Sequence, residues 1–291
     1  MSIAIPAPVY KPTANQKMSD EIFKQMRDYI YQQMGIYFQD TKKYLLEGRI
    51  GKRLQILNIN TYEEYFSYLR YGTKRTEEIR FLYDAVTINE TFFFRNEPQF
   101  EALEQNLIPH VLASKPSGRQ KLRIWSAASS SGEEAFTIGM IFTERIKPKY
   151  PNVEIEIIGT DISPSILETA RQGVYREYSV RNMPKYYFEK YFSQNDGKFV
   201  VHDSIRKLVR FEHLNLYDRV KMRQMRSFDI IFCCNVLIYF DTKSKIQVVS
   251  DLYDALNPSG FLFIGYAESL HGISSAFKRV NFPKTVAYKK E

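Results

Sequence analysis

Cysteine and histidine are scarce: two and four in 291 residues. Cys233 and Cys234 are neighbours in an apolar run, so in a strand their side chains point to opposite faces. They read as buried small hydrophobes, not as a disulfide, and the histidines have no ligand spacing, so no metal is expected. Long hydrophobic runs are missing too. The longest, near 228–240, is broken by Asp229 and Asn235 and is too short to cross a bilayer. The first eighteen residues carry Pro6, Pro8 and Pro12 without an apolar signal core. A secretory peptide is therefore not expected, and 1–18 reads as a flexible tail. These absences suit a cytoplasmic globular protein without membrane insertion. A GxGxxG loop is absent, and with it the dinucleotide fingerprint; no evident Ser/His/Asp or Cys/His arrangement stands in its place.

What is present is apolar and basic. With 44% hydrophobic and 15% aromatic residues the chain can bury a sizeable core, and its length favours two domains. The first is helical. Ser19 caps a helix with Asp20 and Glu21 in its first turn and Gly35 as its stop. Thr61-Tyr62-Glu63-Glu64 is a capping box opening a helix to Gly72, and Thr76 opens another through Val86. Gly48 and Gly51 weaken 40–57 as a helix; in helical register Lys42, Arg49 and Arg53 form a cationic stripe. Net charge is +8 and uneven. Between Arg171 and Arg226 there are 13 Lys/Arg against 6 Asp/Glu, and between Lys42 and Arg53 there are 5 basic residues against Glu47 alone. Such patches suit an acidic partner or form a solvated basic face.

The run Thr87-Ile88-Asn89-Glu90-Thr91-Phe92-Phe93-Phe94-Arg95 follows neither a helical nor a strand period. It is either a buried connector with an incidental Arg or an aromatic anchor that aims one guanidinium into a cavity, where its planar fork matches a carboxylate. Leu122 to Ala128 then reads as a strand, Ser129-Ser130-Ser131-Gly132 as a small-residue turn, and Glu133 to about Glu144 as a helix. A second strand, Val153 to Thr160, ends at Asp161, and Pro164 opens the next helix. This alternation describes a doubly wound α/β unit, whose ligand sits beyond the strand carboxyl ends. Asp161 is then a ribose-binding acid or a helix-start residue, and Glu134 a first-turn acid or a carboxylate facing a ligand ammonium. Phe228 to Cys234 is a continuous apolar strand of the kind buried on both faces. A helix over about 242–256, a turn at Asn257-Pro258-Ser259-Gly260, a strand from Phe261 and a last strand at Val286-Ala287-Tyr288 complete the pattern. Residues 173–210 break it: an aromatic-rich stretch leads to Asp196-Gly197, a hairpin-type turn.

Six blocks, in order, resemble one family, the chemotaxis receptor methyltransferases (CheR). They are Asn89 to Arg95, Trp125 to Glu134, Thr160-Asp161-Ile162, Asn215-Leu216, Phe232 to Phe240, and Gly265-Tyr266-Ala267-Glu268-Ser269. The likeness runs from about residue 20 to 289. It implies transfer of methyl from S-adenosylmethionine to receptor glutamates, leaving S-adenosylhomocysteine. The implied fold is a Rossmann-like class I methyltransferase domain (98–291) with an inserted antiparallel β-subdomain (173–210). A small all-α domain (19–86) and a linker contributing to the cofactor site (87–97) precede it. The resemblance puts cofactor contacts on Asn89, Thr91, Arg95, Glu134, Asp161, Asn215, Leu216, Asn235 and Val236, with Arg95 and Tyr239 beside the transferred methyl. It assigns the helical domain to receptor recognition, which makes Lys42, Arg49 and Arg53 candidate receptor contacts. The implied partner is the cytoplasmic domain of a transmembrane chemoreceptor, met by a monomer. Ser193 to Lys198 is short beside peptide-binding members, so tight binding of a receptor C-terminal peptide is not expected. Cys234 stands where the family usually has Arg, which alters the charge around the pocket.

A glutamate carboxylate with a pKa of about 4.3 is already ionised at neutral pH, so its methylation needs no general base. Two other readings stay open. Fold and charge permit a nucleic-acid methyltransferase, although Asn-Val-Leu-Ile-Tyr replaces the Asn-Pro-Pro-Tyr of base amine methylation and no Pro-Cys nucleophile is present. A non-catalytic module that senses S-adenosylmethionine or docks on receptors is the other.

Overall fold

A computed structural model describes residues 17–115 and 120–291. They form two compact units, one of 17–33 and 37–87, the other of 34–36 and the described residues from 88 onward. The expected tail lies outside the described residues except for its last two. Of these, Met18 is buried and donates its backbone N–H to Glu47 (2.9 Å), so it belongs to the helical unit.

The first unit carries helices Asp20–Met34, Lys43–Leu57, Tyr62–Tyr71 and Arg75–Val86. Ser19 Oγ accepts the Ile22 N–H (3.3 Å), and Thr61 Oγ1 accepts the Glu64 N–H (3.0 Å). The Glu64 carboxylate reaches back to the N–H of Asn60, one residue earlier than the capping box predicts. Residues 40–57 become a short 3₁₀ turn, Asp40–Lys42, followed by an uninterrupted helix. Leu46, Ile50 and Leu54 recur every fourth residue and are buried; that packing outweighs the propensity cost of two glycines.

The second unit is built on ten strands: β1 Lys121–Ala127, β2 Glu154–Asp161, β3 Val174–Tyr175, β4 Phe192–Asn195, β5 Lys198–Val201, β6 Val209–His213, β7 Phe228–Cys233, β8 Leu256–Ile264, β9 Phe277–Phe282 and β10 Thr285–Lys290. Seven form one sheet in the order β6-β2-β1-β7-β8-β10-β9. The first five of these are parallel, and β10 pairs antiparallel with both β8 and β9. The order steps outward from β1 in both directions, which puts a ligand crevice at the carboxyl ends around β1. Every residue of β7 is buried, as a strand covered on both faces requires. Its one carboxylate, Asp229, is satisfied by Lys115 Nζ (2.6 Å), the Arg123 N–H (2.8 Å) and Asn257 Nδ2 (2.8 Å).

The remaining strands form a separate antiparallel sheet, β3-β5-β4. Asp196 and Gly197 take φ of 47° and 70° between β4 and β5, the two-residue turn that matches strand twist. Val209 and Arg210, the last two residues of the expected insertion, belong instead to β6 of the larger sheet. Asn257-Pro258-Ser259-Gly260 is not a turn before a strand; it lies inside β8 as an irregularity, with Ser259 at φ 63° and a register shift opposite Phe228 and Ile230.

Candidate functional site

The linker segment is held by its phenylalanines. Phe93 is fully buried, its ring edge-on to Tyr175 (4.9 Å) and Phe192 (5.1 Å), and its N–H donates to the Ser179 carbonyl (2.9 Å). Phe94 packs against Tyr187 (4.8 Å) and takes a left-handed φ of 58°, a conformation that costs a non-glycine residue free energy and bends the chain there. Arg95 follows directly. Its guanidinium donates to the Glu90 carbonyl (2.6 Å) and lines a cleft of about 840 Å³. The aromatic block therefore anchors, and the cation is aimed.

Asp161 ends β2. One carboxylate oxygen accepts the Ser130 N–H (2.9 Å) from the loop after β1, the other accepts the Ser163 N–H (2.9 Å). Ser163, not Asp161, is the N-cap of helix Pro164–Gln172. The same loop reaches the linker, because Ser130 Oγ donates to the Asn89 carbonyl (3.1 Å). Ala128, Ser130 and Gly132 all have positive φ, which folds the loop tightly over the strand end. At Gly132 (φ 92°) a Cβ would lie 2.7 Å from the Phe211 ring, so only glycine fits.

Glu134 lies in the first turn of helix Glu133–Ile141 and accepts a hydrogen bond from Ser126 Oγ of β1 (2.7 Å). Burial pushes its carboxyl up to about 7, while Ser126, Cys234 and the Arg95 charge pull it down. Arg95 and Glu134 thus feel one another. Cys234 donates to Gln99 Oε1 (3.4 Å), and burial pushes its thiol well up, so it is a neutral wall of the pocket. Asn215 and Leu216 follow β6 and are buried, Asn215 Oδ1 accepting the Tyr217 N–H (2.9 Å).

Asn235 leaves β7 in a left-handed conformation (φ 60°), and Tyr239 ends the 3₁₀ turn Leu237–Tyr239 just beyond. Both are positioned by Glu268, to which sequence reasoning gave no role. Its carboxylate accepts the N–H groups of Asn235 (2.9 Å), Gly265 (2.6 Å) and Ile238 (3.1 Å), tying the loop after β7 to the loop after β8. Gly265 permits that approach: a Cβ there would lie 2.7 Å from Asn235 Nδ2 and from Glu268 Oε2. Its signal in the sequence was the Gly265–Glu268 spacing, legible only as part of a block. The structure brings the linker, the loop after β1 and the ends of β2 and β7 into one connected edge. Thr91 and Val236 lie half-buried within the same segments.

In the first unit the cationic stripe is not three free charges. Lys42 is exposed in its 3₁₀ turn. Arg49 donates to the Val86 carbonyl at the end of helix Arg75–Val86. Arg53 forms a two-pronged ion pair with buried Glu78 (2.9 and 2.6 Å), and its guanidinium sits 4.3 Å from the Phe81 ring centre. Angular spacing fixes where a side chain leaves the helix, not which partner it reaches.

Residues 89–286 match the family described as CheR methyltransferase, SAM binding domain, and residues 21–87 match CheR methyltransferase, all-alpha domain. The chain is 39% identical over 274 residues to chemotaxis protein methyltransferase 2 of Vibrio cholerae, covering 94% of each. It is 35% identical over 263 residues to the chemotaxis protein methyltransferase of Borreliella burgdorferi, covering 90% of this chain and 91% of that one. With the chemotaxis protein methyltransferase of Vibrio parahaemolyticus it shares 35% identity over 276 residues, covering 94% and 98%.

Proposed function

Because this chain belongs to the CheR methyltransferase family, we propose that it methylates glutamate side chains of chemoreceptors with S-adenosylmethionine as donor. The observation that carries the reading is the connected edge of Asn89, Arg95, Glu134, Asp161 and Asn235 at the carboxyl ends of one parallel sheet. Bound there, S-adenosylmethionine supplies a methyl on a cationic sulfur, already an electrophile. The residues fit such a donor. Two backbone N–H groups, one on each Asp161 oxygen, orient its carboxylate at the end of β2, where a ribose hydroxyl can reach it. Glu134, whose ionisation burial opposes, offers a carboxylate that a ligand ammonium would restore to its charged form. Asn89, Thr91, Asn215, Leu216, Asn235 and Val236 complete the contacts in this reading.

Arg95 orients the incoming carboxylate, and the Tyr239 hydroxyl holds it in line with the methyl. No residue removes a proton, because the acceptor is already ionised. Rate comes from positioning and from exclusion of water. The receptor's cytoplasmic domain is the partner, and the short β4–β5 turn leaves tight capture of a receptor C-terminal peptide out of this reading. The test is transfer of labelled methyl to receptor-containing membranes, followed by mild base. Release of labelled methanol is expected, as from a carboxyl ester; base-stable label, or label on nucleic acid in preference to receptor, would overturn the assignment.

A further inference from the structure

The cleft that begins at Arg95 runs away from the cofactor edge. It contains neither Asp161, Glu134 nor Asn215; its walls are the linker, the loop after β8 and the β9–β10 hairpin. Phe277, Arg279 and Asn281, on one face of β9, line the cleft together with Phe282 at the strand's end, whereas Val280 packs against the core. Arg279 lies opposite Tyr288 of β10, another lining residue, and Lys284 stands at the hairpin turn. Arg279 and Lys284 are exposed, and neither enters an ion pair among the described residues. The single carboxylate in the lining is Glu268, whose two oxygens accept three backbone N–H groups. At the mouth Tyr266 is 92% exposed.

An open cleft with cations along one wall, a quenched carboxylate and one end at the reaction centre suits an extended anionic occupant. We propose that it seats the acidic segment flanking the glutamate to be methylated, with Arg279 and Lys284 meeting that segment's other carboxylates. The inference rests on the receptor-methylation reading and adds the surface that selects the acceptor. It makes Arg279 and Lys284 specificity residues, since charge complementarity across a solvated cleft acts on encounter and register, not on chemistry.

The experiment compares the full-length wild type with Arg279→Glu/Lys284→Glu and with Arg279→Lys in the receptor-membrane methylation assay across an ionic-strength series. Calorimetric titration with S-adenosylhomocysteine runs alongside. The reversal should raise the acceptor KM at least about tenfold at low salt and flatten its salt dependence, with kcat within about twofold. S-adenosylhomocysteine affinity should be unchanged, which also reports a folded cofactor site, and Arg279→Lys should retain most of the wild-type KM. An unchanged KM and salt profile in a reversal variant that still binds S-adenosylhomocysteine would overturn the proposal. So would the same loss of acceptor affinity from Arg279→Lys, because retained charge would then not matter. A wild type that forms no base-labile ester on receptors would instead sink the underlying assignment, and the two failures are read from different samples.

Discussion

Glu134 shows how one carboxyl can couple ligand and proton. Burial raises its pKa from 4.5 to about 7. Its contribution to the stability of the ligand-free protein is therefore full below about 4.5 and is lost as the pH rises through about 7. A cationic ligand group reverses the preference, because it favours the charged carboxylate. Binding of S-adenosylhomocysteine near neutral pH should accordingly release a proton, and affinity should fall as the pH drops below about 7. Calorimetry in two buffers of different ionisation enthalpy measures that proton; equal release by wild type and Glu134→Gln would assign it elsewhere. The sequence marked Glu134 as an acid in a helix's first turn but could not separate a dipole-complementing residue from a ligand carboxylate. That distinction depends on Ser126, Cys234 and Arg95, which come from three other segments. Glu268 was harder still, since its partners are backbone N–H groups that carry no side-chain signature.

At the scale of elements, the linker is where sequence and structure agree most usefully. Three consecutive phenylalanines matched no regular period, and in the fold each has a different neighbourhood: Phe93 in the core, Phe94 on Tyr187, Phe92 beneath the guanidiniums of Arg95 and Arg181. Phe93→Ala should cost the second unit about 3–5 kcal/mol, the usual range for emptying a buried aromatic site. It should also weaken S-adenosylhomocysteine binding through Arg95. Denaturant titration followed by fluorescence of the only tryptophan, Trp125, buried in β1, reads the first effect. A midpoint equal to wild type would mean that the linker is held without its anchor. Strands β6 and β9 left no comparable trace. Both lie at sheet edges, where one side of each strand lacks a neighbour and the apolar alternation is diluted by Arg210, Glu212, Lys278 and Arg279. The irregular stretch of β8 was misread for the opposite reason: Pro258 and Gly260 carry a turn signal, yet a bulge accommodates the same residues.

Across the whole molecule, the net charge of +8 does not tell which cations face outward. Arg53 is committed to Glu78, a carboxylate only 3% exposed that also accepts the Tyr65 hydroxyl (2.8 Å). Arg53→Ala should therefore destabilise by about 3–5 kcal/mol, the penalty of leaving a buried charge alone. Exposed Lys42→Glu should stay within about 0.5 kcal/mol of wild type and act only on receptor KM at low salt. Thermal melts of the two variants make the comparison; matching melts would return Arg53 to the surface stripe. Composition, length and block order made the two-unit α/β plan legible, because those properties sum over many residues. Which arginines point inward was not, because each depends on a partner distant in the chain. The hairpin at the far edge of the seven-stranded sheet carries a separate consequence. Among the described residues, β9 presents an unpaired row of backbone donors and acceptors, the template on which sheets of separate molecules join. Lys278 and Arg279 along it, with Pro283 and Lys284 at its turn, repel such pairing. Replacing these cations by neutral residues would thus trade a question about acceptor recognition for one about solubility, whereas reversing their sign keeps the edge guarded while the cleft changes character.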